Sequence, residues 1–109
     1  MGPEPAKRPD VLQEIRRRAE SKRVVFSDHG DRKKRARGFD YSDVERVLMK
    51  GQRQEERDRY DDNHRGWSYA MKGETVVGEW LRVIVVLRDP LLLVVTAYYV
   101  EGKMGDADD

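Results

Sequence analysis

Cysteine is missing from the 109-residue chain, which excludes a disulfide framework and a thiolate zinc site. Long apolar runs are scarce. Charged residues make up 39% of the sequence, so only one stretch and a few helix faces can supply a core, and that core must be small. Met1–Asp10 lacks the apolar segment of a signal peptide, which makes a cytoplasmic protein the expectation. No internal repeat is visible. Gly73 and Gly78 do not follow a strand and precede a helix, so a nucleotide-binding glycine loop is excluded. The length suits one domain over residues 10–100, behind a flexible arm at 1–9 that holds three prolines and ahead of an acidic, disordered tail at 101–109.

What the chain does have is Trp80–Val100, WLRVIVVLRDPLLLVVTAYYV. It reads as a β-hairpin. Leu81–Leu87 and Leu91–Tyr99 are rich in Val, Ile, Leu and Tyr, and Asp89-Pro90 supplies the turn. A membrane span is the rival, and Arg82, Arg88 and Asp89 count against it. Each such charge at a bilayer centre would cost roughly 2.5–3.5 kcal/mol, and Pro90 would break the helix. Strict alternation places Leu81, Val83, Val85 and Leu87 on one face of the first strand. In the second strand it groups Leu92, Val94, Thr96 and Tyr98 against Leu91, Leu93, Val95 and Ala97. Both faces are apolar in the middle, as in central strands covered on each side.

Upstream, Asp10 is an N-cap candidate with Gln13 three residues on, and Val11, Ile15 and Ala19 form the apolar stripe of a first helix. Arg16, Arg17 and Arg18 then fall on its outer surface. Arg23–Phe26 reads as a short strand, Ser27 as the cap of a helix from Asp28 to about Ala36, and Gly38 as its C′ residue. That helix has almost no apolar residue. His29, Lys33 and Arg37 recur at i, i+4 and i+8 and drift only about 40° per step, so they line one stripe. A third helix is capped by Asp40, buries Val44, Val47 and Leu48, and stops at Gly51. Gln52–Tyr60 reads as a polar edge strand, Asp61–Gly66 as a turn, Trp67–Met71 as a strand and Gly73–Gly78 as a mobile connection.

Charge divides along the chain. Lys7–Arg37 holds twelve Lys and Arg against five Asp and Glu, a balance of +7 that the remaining residues offset with −6. Such asymmetry favours a polyanion or an acidic protein partner, although a charge run is also simply a solvated face.

The order FSDHG, then Lys33, then Arg37-Gly38-Phe39, a capped helix ending in Gly51 and a closing VVTAYY resembles DUF4258, a family of small prokaryotic proteins. Gly30, Lys33 and Phe39 stand where that pattern has Ala, Arg and Ile, and the likeness covers Val24–Tyr99. The resemblance implies an α+β fold similar to RelE- and barnase-like ribonucleases, with N-terminal helices packed on an antiparallel sheet. It also implies a toxin-type RNA endonuclease with a cognate antitoxin as partner.

Metal-free RNA cleavage needs a base for the ribose 2′-hydroxyl, an acid for the leaving oxygen, and cations around the phosphorus. His29 is the candidate base or acid, with Arg37, Thr96 and Tyr98 as the other catalytic candidates. Lys33, Arg32, Arg16 and Arg17 are candidates for holding phosphate. Neither a metal nor a cofactor is expected: Asp28, His29 and Asp31 lack the spacing of a metal site, and His64 reads as part of a turn. Trp67, Tyr69, Trp80, Tyr98 and Tyr99 suit base stacking, but strand aromatics more often belong to a core. The competing reading is a non-catalytic module that binds RNA or an acidic protein through its basic helices.

Overall fold

The computed structural model describes residues 5–101. Along the chain run α1 (Val11–Glu20), β1 (Val24–Phe26), α2 (Asp28–Arg37), α3 (Tyr41–Lys50), β2 (Gln52–Arg53), a 3-10 turn (Glu55–Arg57), β3 (Arg59–Asp61), β4 (Gly66–Glu74), β5 (Trp80–Arg88) and β6 (Leu91–Val100). Strand order in the sheet is β1-β6-β5-β4-β2, and β3 takes a second stretch of the β4 edge. Only β1 and β6 run parallel; the other pairings are antiparallel. The class is therefore α+β, and β5 and β6 are central strands as their two apolar faces require. No helix of the described residues is long and apolar enough to cross a membrane.

The core lies between α1, α3 and one face of the sheet. Val11, Ile15 and Ala19 from α1 and Val44, Val47 and Leu48 from α3 meet Tyr69, Met71, Leu81, Val83, Val85, Leu92, Val94 and Ala97. Burying one such Leu or Val fully contributes about 1.5–3 kcal/mol. At the C-terminus of α3 the packing reaches backbone contact: a Cβ on Gly51 would stand 2.5 Å from the Val47 carbonyl oxygen and 2.6 Å from that of Lys72.

Strict alternation fails in β6. Ile84 pairs with Thr96 while the next residue, Val85, pairs with Val94, so Val95 is an extra residue in a β-bulge. The bulge reverses parity: Leu92 and Val94 share the core side with Ala97, while Thr96 and Tyr98 turn to the opposite face. Their expected grouping with Leu92 and Val94 is thus corrected. Alternation assumes an unbroken ladder, and one inserted residue exchanges the faces beyond it.

Other expectations are corrected by polar pairing. Asp10 sits at the α1 N-cap position but makes no capping bond, because its carboxylate takes both Nε and Nη2 of Arg8 at 3.1 Å. Arg18 is buried rather than outward-facing. Its guanidinium bonds Glu14 at 3.0 Å, the Leu91 carbonyl at 2.8 Å and Asp89 at 2.5 Å, which ties α1 to the cis Asp89-Pro90 turn. The expected single edge strand from Gln52 to Tyr60 is broken by the 3-10 turn. Asp58 is buried there, and its carboxylate accepts Arg53 at 2.8 and 2.7 Å and the Ala70 amide at 3.3 Å, which draws the chain inward.

The stretch expected to be a mobile connection is shorter and bonded. β4 extends to Glu74, and the turn closes with Thr75 N–H to Glu79 O at 2.7 Å. Of the leading arm, residues 5–9 carry no helix or strand, yet Trp67 donates to the Pro5 carbonyl at 2.6 Å and Lys7 reaches Asp58 at 3.2 Å. The acidic tail beyond Glu101, like residues 1–4, lies outside the described residues.

Candidate active site

Helix α2 takes its place from β6. β1 ends at Phe26, paired with Val94, and from there α2 continues along the same edge of β6. Ser27 makes the junction. Its amide donates to Val94 O at 2.9 Å, and its hydroxyl caps the helix by accepting from Gly30 N at 2.9 Å. Gly30 permits this closeness, since a Cβ there would stand 2.5 Å from Val94 O. The far end closes at Gly38, whose φ of 80° is the left-handed conformation that glycine favours. A helix without an apolar stripe is thus held at the sheet margin by polar contacts to strand backbone.

The first turns of α2 form one wall of a cleft of about 680 Å³, whose lining includes Ser27, Asp28, His29, Arg32, Val95 and Thr96. Thr96 reaches it because of the Val95 bulge. The opposite wall is the β3–β4 turn, with Asp61, Asn63 and His64. Both carboxylate oxygens of Asp61 serve His64: one accepts the backbone amide at 3.1 Å, and the other contacts ring Nδ1 at 2.9 Å. Burial raises the Asp61 pKa, but the hydrogen bonds from the His64 ring and amide outweigh it and hold the carboxyl below its ordinary value. Arg88 Nη2 donates to the His64 carbonyl at 3.0 Å and pins the turn from β5.

Of the residues expected at the site, His29, Arg32 and Thr96 line this cleft. Arg37 and Tyr98 meet each other further along the same two elements. Arg37 Nη1 donates to Ala97 O at 2.7 Å, and its Cζ lies 5.8 Å from the Tyr98 ring centroid. The Tyr98 hydroxyl accepts from Arg82 at 3.3 Å. Lys33 sits between the two places on α2, half-buried.

Arg16 and Arg17 belong elsewhere. Arg16 donates to the carbonyls of Met49 and Gly51 and so caps α3, Arg17 pairs with Glu14 at 2.6 Å, and both line a separate cleft beside α1. Tyr69 is a core residue. Asp61, Asn63 and His64 also line the cleft, where the sequence reads as a turn and nothing more. The available signal was the Asp-x-x-His spacing within a turn, which by itself specifies only the turn. Asp28, His29, Asp61 and His64 share the cleft, yet among the described residues no three His, Cys, Asp or Glu cluster closely enough to hold a metal ion.

A family model described as a domain of unknown function, DUF4258, matches residues 26–99. The chain belongs to this family. The DUF4258 span begins at the last residue of β1 and ends in β6, so it contains every residue named in the α2–β6 cleft and leaves out α1 with Arg16 and Arg17. Comparison with curated proteins gave no match, and neither did comparison with solved structures.

Proposed function

We propose that this DUF4258 protein is a metal-independent RNA endonuclease of toxin type, with the ribose 2′-hydroxyl as nucleophile. The observation that supports this best is the meeting of His29 and Arg32 from α2 with Thr96 from β6 in one solvent-open cleft. An imidazole can transfer a proton near neutral pH, a guanidinium can bind phosphate by a two-pronged contact, and a hydroxyl can donate to a phosphoryl oxygen as charge builds there. The α2 N-terminus adds its partial positive charge at the same wall. Lys33, Arg37 and Tyr98 extend the surface along β6, where a neighbouring phosphate of the strand would lie. The order of helices ahead of a mostly antiparallel sheet is the order expected of a RelE- or barnase-like ribonuclease and is compatible with this reading.

The competing reading is a module that binds RNA or an acidic protein, such as a cognate antitoxin, without chemistry. It is favoured by the α2 surface itself, where Arg32, Lys33, Lys34 and Arg37 have no carboxylate within ion-pair distance among the described residues. Purified protein incubated with total RNA in EDTA separates the two. The nuclease reading expects cleavage that falls by about 100-fold or more in His29→Ala while RNA binding persists. Intact RNA with the unmodified protein would leave the binding module.

A further inference from the structure

We infer that His64, oriented by Asp61, is the second acid–base group of the cleft, so that one imidazole takes the proton of the 2′-hydroxyl and the other supplies the proton of the leaving oxygen. This rests on the nuclease reading. It starts from the contacts in the β3–β4 turn: Asp61 turns one oxygen to the His64 amide and the other to its ring, with the Asn63 amide as a further partner, and His64 lines a cleft that already holds an imidazole. Closing a turn requires only the backbone contact. The second contact fixes the ring.

An ionised carboxylate can only accept, so His64 Nδ1 carries a proton, and in the neutral ring the lone pair is then on Nε2. Asp61 remains ionised because the His64 ring and amide hold its pKa down against burial. The charged and titratable groups around the His64 ring are Asp61, with Arg88 on its carbonyl, Asp62 and Arg65 in the same turn, and Asp28, His29 and Arg32 on the facing wall. The geometry is that of a base held by an orienting carboxylate, with a second titratable group opposite.

In the reaction, His64 Nε2 accepts the proton from O2′ as O2′ bonds to phosphorus. The P–O5′ bond breaks, and His29, entering as imidazolium, gives its proton to O5′. The products are a 2′,3′-cyclic phosphate and a 5′-hydroxyl, and proton exchange with water resets the two rings. Arg32 and Thr96 lie where they can hold the phosphoryl oxygens. Asp61 is a positioning residue, since it acts through His64. DNA, which lacks the 2′-hydroxyl, is not a substrate.

The test uses the full chain in EDTA with a single-stranded mixed-sequence oligoribonucleotide, and its deoxyribonucleotide counterpart as control. Cyclic phosphate ends and a bell-shaped dependence of kcat/KM on pH are expected. His64→Gln and His64→Ala should each lower kcat about 100-fold or more and remove the limb at low pH, while His29→Gln removes the limb at high pH. Asp61→Asn should lower kcat and move the low-pH limb, whereas loss of folded protein would lower the amplitude of the profile and leave both limbs in place. If both His64 variants cleave like the unmodified protein with both limbs present while His29→Gln is inactive, the role of His64 is overturned and the nuclease reading stands. RNA left intact by the unmodified protein overturns both.

Discussion

Glu14 shows how a single carboxylate organises arginines that a linear reading places on an outer surface. It accepts Arg17 at 3.0 and 2.6 Å and Arg18 at 3.0 Å. The Arg17 hydrogen bond is the largest influence on it; burial opposes, Arg18 adds to the first, and the pKa falls from 4.5 to about 2. A carboxyl whose pKa is depressed in the folded state stabilises the fold above its unfolded value and loses that contribution as pH drops through the folded one. Stability should therefore decline between about pH 4.5 and about pH 2. Glu14→Gln should flatten that part of the profile in urea titrations, and an unchanged slope would contradict the assignment. The apolar spacing of α1 was legible because it repeats every turn. The inward path of Arg18 was not, because its partners Leu91 and Asp89 lie 73 and 71 residues away in sequence.

Among the elements, α3 rests on β4 through glycines on both sides. A Cβ on Gly73 would stand 3.1 Å from Gly51 Cα and 3.3 Å from Val47 Cα, and one on Gly51 would strike two carbonyl oxygens. Gly51 has φ −76°, which any residue adopts. Its requirement is space, not conformation. Gly51→Ala should cost about 1–3 kcal/mol as α3 is pushed from the sheet, measured as a lower urea midpoint with the cleavage or RNA-binding behaviour retained, since the α2–β6 cleft is elsewhere. The sequence marks Gly51 as a helix stop. That it is also a packing contact depends on Lys72, brought beside it by the β2–β4 pairing of Gln52 with Lys72.

For the whole molecule, the excess of positive charge in the leading third does not form one basic patch. Arg8, Arg17, Arg18 and Lys22 are paired with carboxylates and Arg16 with backbone carbonyls, which leaves α2 as the principal cationic surface of that region. Three phosphate contacts from Arg32, Lys33 and Arg37 would give log affinity a slope of about −2 against log salt for single-stranded RNA. Arg32→Ala should make the slope shallower by about 0.7, measured by fluorescence anisotropy over a salt series. Binding that ignores salt would remove the electrostatic argument for a nucleic-acid partner. Arg16→Ala should leave the slope unchanged, because Arg16 faces a different cleft.

The sequence by itself determined the elements whose signals lie within a few residues: the hairpin around Asp89-Pro90, the Ser27 and Asp40 caps, the stop at Gly38, and the marginal position of a helix with no apolar stripe. These follow from periodicity and backbone chemistry, which neighbours at i±4 suffice to set. Tertiary structure alone decided the Val95 bulge, which turns Thr96 away from the core, and the folding of the Asp61–His64 turn toward α2. A bulge answers to how three strands fit together. That His64 and His29 line one cleft depends on where the β3–β4 turn lies relative to α2 and β6, a geometry formed by residues far apart in sequence and carried by no local pattern.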